Sequence, residues 1–286
     1  MQNKLKALLF ALFFPFMHLA LRAGVQTLAA WAALARVRAR FPELSDEYAG
    51  NQANLEMRTA APWLLIASSL LTLAAVILLL RFLRIPPREF AGTGRLRPVT
   101  VLTIIEIGLG LNLALSAMTT LLPLPQSWAA EHSRGVSDPL AAAGPAAFFL
   151  CAVIAVPLAE EAVYRGLAFR FLRSGFSPVM ALLWQAVLFA AFHGTKLQMV
   201  YVFPAAVALG LVYVWCGTLA APLVLHMTFN AYSVFSLPLP GAVWGRCVCL
   251  LAGAAITGFG LHGVWSRSKA KVLPVPPNRF PRPPRQ

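Results

Sequence analysis

A chain of 286 residues in which 59% are hydrophobic and 12% charged cannot fold as a water-soluble globule, since such domains carry about a quarter charged residues to cover their surface. The mean hydropathy of +0.70 points the same way, towards a multi-span membrane protein. The net charge of +14, from 24 Lys and Arg against 10 Asp and Glu, falls in clusters between apolar runs. That placement is the positive-inside pattern of cytoplasmic flanks and excludes nucleic acid as a partner. Cys151, Cys216, Cys247 and Cys249 lack CxxC spacing and lie in or beside apolar runs, so they imply neither a disulfide framework nor a zinc knuckle.

Crossing ~30 Å of hydrocarbon takes roughly 17 to 25 apolar residues. Runs of that kind occur at Leu5–Ala35, Ala61–Phe82, Val99–Leu122, Ala141–Phe171, Val179–Phe192, Leu197–Cys216, Leu219–Leu237 and Ala242–Val264. The predicted fold is an all-α polytopic membrane bundle of about eight transmembrane helices. Both termini, the Arg81–Arg97 segment and Arg170–Arg173 then share the cytoplasmic side, and Pro123–Pro139 lies outside. The first run is interrupted by Arg22, which leaves open whether it is one span or two pieces. Lys4, Lys6 and Ala7–Leu21 also have the outline of a signal peptide, but Leu21 stands where a cut after Ala23 needs a small residue, so the run reads as an anchor. The mixed-charge stretch Phe41–Arg58 reads as an extramembrane loop. The tail from Ser266, with six prolines and several cations, reads as extended and solvated. The chain thus divides into N-terminal helices at 1–140, a core at 141–237, a last helix at 238–265 and a basic Pro-rich tail at 266–286.

No carboxylate follows Glu161, and only Glu106, Glu160 and Glu161 lie inside apolar runs. An ionisable group at membrane depth is costly, which makes each a functional candidate. Glu161 and Arg165 are four residues apart and share a helix face, so they can pair. Glu160 points about 100° away and is left free. A buried ion pair that merely holds helices in register explains this trio equally well. His193 ends one apolar run, while His226 and Asn230 project from one face of another. Glu160 precedes the turn at Gly175 by 15 residues and His193 follows it by 18, which places both ~22–27 Å from that turn at ~1.5 Å per residue. His226 is only 8 residues past Thr218, or ~12 Å, so the groups meet only if the first hairpin extends ~10 Å further. Gly175, Ser177 and Pro178 suit the turn between those helices.

Glu106 reads as a structural partner of Asn112 or a proton relay. His18 and Arg22 read as snorkelling to an interface, and His132 and His262 as loop or span-end residues. Trp128, Trp215, Trp244 and Trp265 suit an aromatic belt.

Glu160-Glu161-x-x-x-Arg165, Phe189-x-x-x-His193 and His226-x-x-x-Asn230 resemble, in order, the three motifs of the CAAX protease and bacteriocin-processing family, also called CPBP or Abi, which includes the type II CAAX prenyl protease. The resemblance covers about residues 141–237. It implies an intramembrane endopeptidase with a conical, cytoplasm-facing cavity in the cell (inner) membrane. By that similarity Glu160 and His193 activate a water, His226 and Asn230 stabilise the oxyanion, and the Glu161–Arg165 pair is scaffold. The substrate is a membrane-associated protein or peptide and no cofactor is needed. Glu160, His193 and His226 are also a ligand set for zinc, although no HExxH is present. A non-proteolytic scaffold or immunity-type protein and a small proton-coupled transporter are the other readings; the transporter lacks the repeated halves expected of it.

Overall fold

The computed structural model describes residues 2–138, 144–235 and 238–268, and among them the structure is helical, with one isolated bridge between Gly92 and Thr218. The helices are α1 (Gln2–Arg40), α2 (Asp46–Phe82), α3 (Pro87–Ala91), α4 (Pro98–Leu121), α5 (Gln126–His132), α6 (Pro145–Gly175), α7 (Pro178–Ala191), α8 (Lys196–Cys216), α9 (Ala220–Phe235) and α10 (Val243–Arg267). Six of them, α1, α2, α4, α6, α8 and α10, are long and apolar enough to cross a membrane. The 14-residue α7 is a shorter apolar helix, and α9 has 16 residues. The Pro-rich tail lies outside the described residues.

The first run is one unbroken helix despite Pro15 and Arg22. Its 39 residues span ~58 Å, about twice the hydrocarbon thickness. Phe41–Arg58, expected as a loop, is instead mostly helix, because Ser45 caps Asp46–Phe82 and accepts from the Tyr48 backbone N–H, with Asp46 and Glu47 in the first turn. The extension packs Ala49 and Ala53 onto Ala33 and Val37 of α1, and ion pairs Arg38–Asp46 and Arg36–Glu56 lace its surface. A long α1–α2 hairpin thus stands at the end of the bundle away from Lys4, Lys6 and Arg81–Arg97.

Small residues bring α4 and α10 together. A Cβ on Gly253 would lie 2.5 Å from the Gly110 carbonyl oxygen and 2.6 Å from the Ala114 nitrogen, the close backbone approach by which membrane helices associate. At the basic end, Gly217 closes α8 in the left-handed region at φ 66°. The turn it starts is satisfied by the segment after α3: Gly94 N–H donates to the Gly217 carbonyl at 3.1 Å and Leu219 N–H to that of Ala91 at 2.8 Å.

That pairing sets the depth of the site. Gly166 of α6 packs on Phe90, and Arg170 donates to the Glu89 carboxylate and carbonyl. The α8–α9 turn is therefore level with Gly166–Arg170, and the tip of the α6–α7 hairpin continues beyond it. This protrusion is the one the spacing requires, and it lets His226, early in α9, reach the acids halfway along α6. At that tip Ser177 Oγ accepts from the Met180 N–H at 3.3 Å, and Pro178 opens α7.

Candidate active site

Two π-helical stretches, Phe149–Ala155 and Ala162–Ala168, bracket the turn of α6 that carries Glu160 and Glu161. Such wide turns free carbonyls and rotate side chains, and they recur at functional sites. The first has an identifiable consequence at Pro157. Val156 N–H donates to the Cys151 carbonyl, five residues back; the next bond in that register, to Ala152, needs an N–H that proline lacks. Asn230 of α9 supplies it, donating from Nδ2 to the Ala152 oxygen at 2.7 Å. One Nδ2 hydrogen is thereby used, and among the described residues the second has no partner.

Glu161 is 2% exposed and Arg165 fully buried. Arg165 Nη1 donates to Glu161 Oε1 at 2.8 Å, Nη2 to the Ala206 carbonyl at 3.3 Å, and the guanidinium carbon lies 4.4 Å from the Phe189 ring centre. Gln185 Nε2 joins the same Ala206 carbonyl at 3.1 Å. These contacts tie α6, α7 and α8 in register. His226 Nδ1 also lies 2.8 Å from Glu161 Oε1, so Glu161 holds a catalytic candidate as well as Arg165. This exceeds the scaffold part expected of it.

With Nδ1–H on Glu161, the other ring nitrogen of His226 points at Glu160, whose Oε2 is 3.7 Å from Nε2. His193 is oriented separately: its Nδ1 bonds the Phe189 carbonyl at 2.5 Å, which makes Nε2 the acceptor nitrogen. No hydrogen bond joins Glu160 to His193 among the described residues. The Phe189 ring is the common wall, with edge-on contacts to Tyr164 at 4.7 Å, His193 at 4.7 Å and His226 at 5.9 Å. Phe189 thus joins His193 and His226, and His226 in turn reaches Glu160 and Glu161, while Asn230 stands one turn further along α9.

Three expectations change. Asn112 does not partner Glu106: its Nδ2 donates to the Phe229 carbonyl and to Ser233 Oγ, while Glu106 is exposed on α4. His18 does not snorkel; it is buried, with Nδ1 2.9 Å from Thr72 Oγ1 on α2, because this stretch of α1 packs inside the bundle. Arg22, one turn on, borders a cavity of about 800 Å³ together with Gln26, Asn51, Gln52, Asn54 and Arg58. The polarity of Phe41–Arg58 was the signal for that cavity and reads equally well as a loop. Phe189 and Gln185 carry no separable signal, since an aromatic or an amide in an apolar run is ordinary core.

For zinc, the test is whether the donors converge. Among the described residues no three His, Cys, Asp or Glu groups stand close enough to hold a metal ion, while the Nε2 atoms of His193 and His226, whose Nδ1 atoms are engaged, are the nitrogens a metal would take.

Residues 142–232 match the family described as type II CAAX prenyl endopeptidase, Rce1-like. No curated protein and no solved structure matches the chain. The matched segment runs through α6, α7, α8 and most of α9, the four helices that build or wall the site. The chain is thus a polytopic helical membrane protein of which about a third, residues 142–232, is similar to the type II CAAX prenyl endopeptidase family.

Proposed function

We propose that the chain is an intramembrane endopeptidase that hydrolyses a peptide bond of a membrane-associated protein or peptide with a water activated by Glu160. The observation that carries this reading is the ring of His226, held through Nδ1 by Glu161 and presenting Nε2 to Glu160 at 3.7 Å. A gap of that size is too long for a direct hydrogen bond and suits a shared water or the reacting carbonyl.

In the proposed cycle Glu160 takes a proton from the water as it attacks the scissile carbonyl, and the His193 acceptor nitrogen helps to orient that water. The developing oxyanion meets protonated His226 and the spare Nδ2 hydrogen of Asn230, a contribution of ~3 kcal/mol for one well-placed donor. Glu160 then returns its proton to the leaving amine. Glu161 steadies the charged imidazole, and Arg165 compensates Glu161 in turn. The division into a catalytic core at 141–237 between flanking helices belongs to the same proposal. So does the setting, a cell (inner) membrane with the basic end in the cytoplasm, as the Lys and Arg bias requires. The family description names prenylated targets, and these are one substrate class to be tested.

The test is reconstitution of wild type and Glu160→Gln in liposomes with a membrane-protein extract, with new peptide termini read by mass spectrometry. Wild type should generate discrete termini, unchanged by a zinc chelator, and Glu160→Gln should generate none. Termini abolished by the chelator and restored by zinc would replace the glutamate mechanism with a metal one. Equal products from both proteins would end the peptidase reading in favour of a scaffold.

A further inference from the structure

The 81–97 segment joins α2 to α4 across the basic end of the bundle and carries five arginines, Arg81, Arg84, Arg88, Arg95 and Arg97, against one carboxylate, Glu89. Glu89 is taken by Arg170 of α6. The five arginines are exposed, and among the described residues none of them makes a side-chain hydrogen bond or ion pair. Beside them on two candidate spans, Leu78 and Phe82 of α2 and Val99 and Leu102 of α4 expose apolar side chains. Cations that border such lipid-facing surface stand at headgroup level.

Arg84 adds a second observation. Ile85 N–H reaches back to the Leu80 carbonyl at 2.9 Å to close α2, which leaves Arg84 in the left-handed region at φ 54°. Glycine usually fills this position, because a Cβ is strained there. A strained, charged residue with no side-chain partner in the fold points to a partner outside it.

The same segment is tied to the candidate site. Phe90 packs on Gly166 of α6, Leu219 N–H donates to the Ala91 carbonyl at 2.8 Å, and Gly94 N–H to that of Gly217 at 3.1 Å. Gly217–Leu219 is the turn that opens α9, two helical turns ahead of His226. We propose that the 81–97 segment docks the headgroup phosphates of anionic phospholipids, and that this docking holds α9 at the depth where His226 meets Glu160 and Glu161. The guanidinium fork matches two phosphate oxygens at once. The docking stands on the charge and geometry of the segment alone; its effect on the site rests on the peptidase reading.

The test places full-length wild type, Arg84→Gly and the triple variant Arg88→Gln, Arg95→Gln, Arg97→Gln in nanodiscs of phosphatidylcholine, alone or with about a third phosphatidylglycerol. In phosphatidylcholine Arg84→Gly should unfold at or above the wild-type temperature, because glycine relieves the strained φ. Phosphatidylglycerol should raise the wild-type unfolding temperature by ~2–4 °C for each arginine it engages. Arg84→Gly should gain less, the triple variant less still, and added salt should shrink the gain. Equal gains in wild type and the triple variant, or no gain in wild type, overturn the docking. Inorganic phosphate or polyglutamate added to the phosphatidylcholine discs should give no gain; one equal to that of phosphatidylglycerol assigns the surface to a free anion or an acidic protein and overturns the proposal.

The effect on the site is read as kcat on a peptide that wild type cleaves. Phosphatidylglycerol should raise the wild-type value ~5-fold, the worth of one such contact. Phe90→Ala should keep the gain in unfolding temperature and lose the rise in kcat, since its arginines remain while the packing on Gly166 is gone. An unchanged wild-type kcat beside a full temperature gain overturns the coupling and leaves the docking. A Glu160→Gln protein as active as wild type removes the peptidase reading and the coupling with it, and the temperature gains still decide the docking.

Discussion

Glu161 Oε1 accepts from Arg165 Nη1 and lies against His226 Nδ1, both at 2.8 Å, so one buried oxygen couples the ion pair of α6 to the histidine of α9. Removing that carboxylate therefore has two separable effects. Glu161→Gln leaves the Arg165 charge uncompensated in a fully buried position, a loss of about 3–5 kcal/mol. The double variant Glu161→Gln, Arg165→Met should recover much of that stability, because no orphaned charge remains. It should not recover activity, because His226 is still without its anchor. Thermal unfolding in detergent and cleavage rates on the same samples check both halves.

Glu160 is outside this ion pair, and 8% of it is exposed. Glu160→Gln should leave the unfolding temperature within a degree or two of wild type while lowering the cleavage rate at least ~10²-fold, the low end for loss of a general base. Activity and melting curves on one preparation decide it.

Pro157 and Asn230 form a compensated pair, the proline withholding the N–H that Asn230 supplies to the Ala152 carbonyl. Asn230→Leu should destabilise by about 1–3 kcal/mol, since it leaves a half-buried carbonyl unpartnered. Pro157→Ala restores a backbone donor to α6, so Pro157→Ala in the Asn230→Leu background should regain part of the loss. A double-mutant cycle of unfolding free energies reads the coupling, and strict additivity would contradict it.

Gly253 lets α10 approach α4 until a Cβ would stand 2.5 Å from the Gly110 oxygen. Gly253→Leu should push the two helices apart and cost at least ~1–3 kcal/mol. No catalytic candidate lies on either helix, so the rate per folded molecule should hold. Cleavage normalised to the folded fraction is the check.

His132, on the side of the bundle with the α1–α2 hairpin tip, has Nδ1 3.1 Å from Thr195 Oγ1 and its ring edge-on to Tyr201. Burial holds its pKa below the usual histidine value, so the folded state binds the proton less readily than the unfolded one. Its contribution to stability is complete above about pH 6.5 and is lost as pH falls towards the lower folded value. Melting temperature should drop between pH 7 and pH 5, with a shallower slope in His132→Gln.

The apolar runs made the long helices readable, and α4, α8 and α10 start and stop within a few residues of where hydropathy puts them. The first half of α2 was not readable, because Asn51, Gln52 and Asn54 border a polar cavity while Ala49 and Ala53 pack on α1; polarity alone cannot separate such a helix from a loop. Glu160, His193, His226 and Asn230 stand out as candidates in the sequence because polar groups are rare in its apolar runs. Which acid holds His226 does not, because adjacent glutamates differ only by a rotation about α6 that the two π-helical stretches reset. The link from Asn230 to Ala152 was within reach of the sequence: Pro157 announces a missing donor, but only the fold shows which helix supplies it.

The most direct measurement compares the peptide termini of membrane proteins in cells expressing wild type, Glu160→Gln, His193→Ala or His226→Ala at matched levels, by terminal-peptide mass spectrometry. The account predicts discrete termini present with wild type and missing from all three variants, with the cut sites naming the substrate. Identical profiles from all four, in cells that still respond to loss of the gene, would contradict peptide hydrolysis at this site.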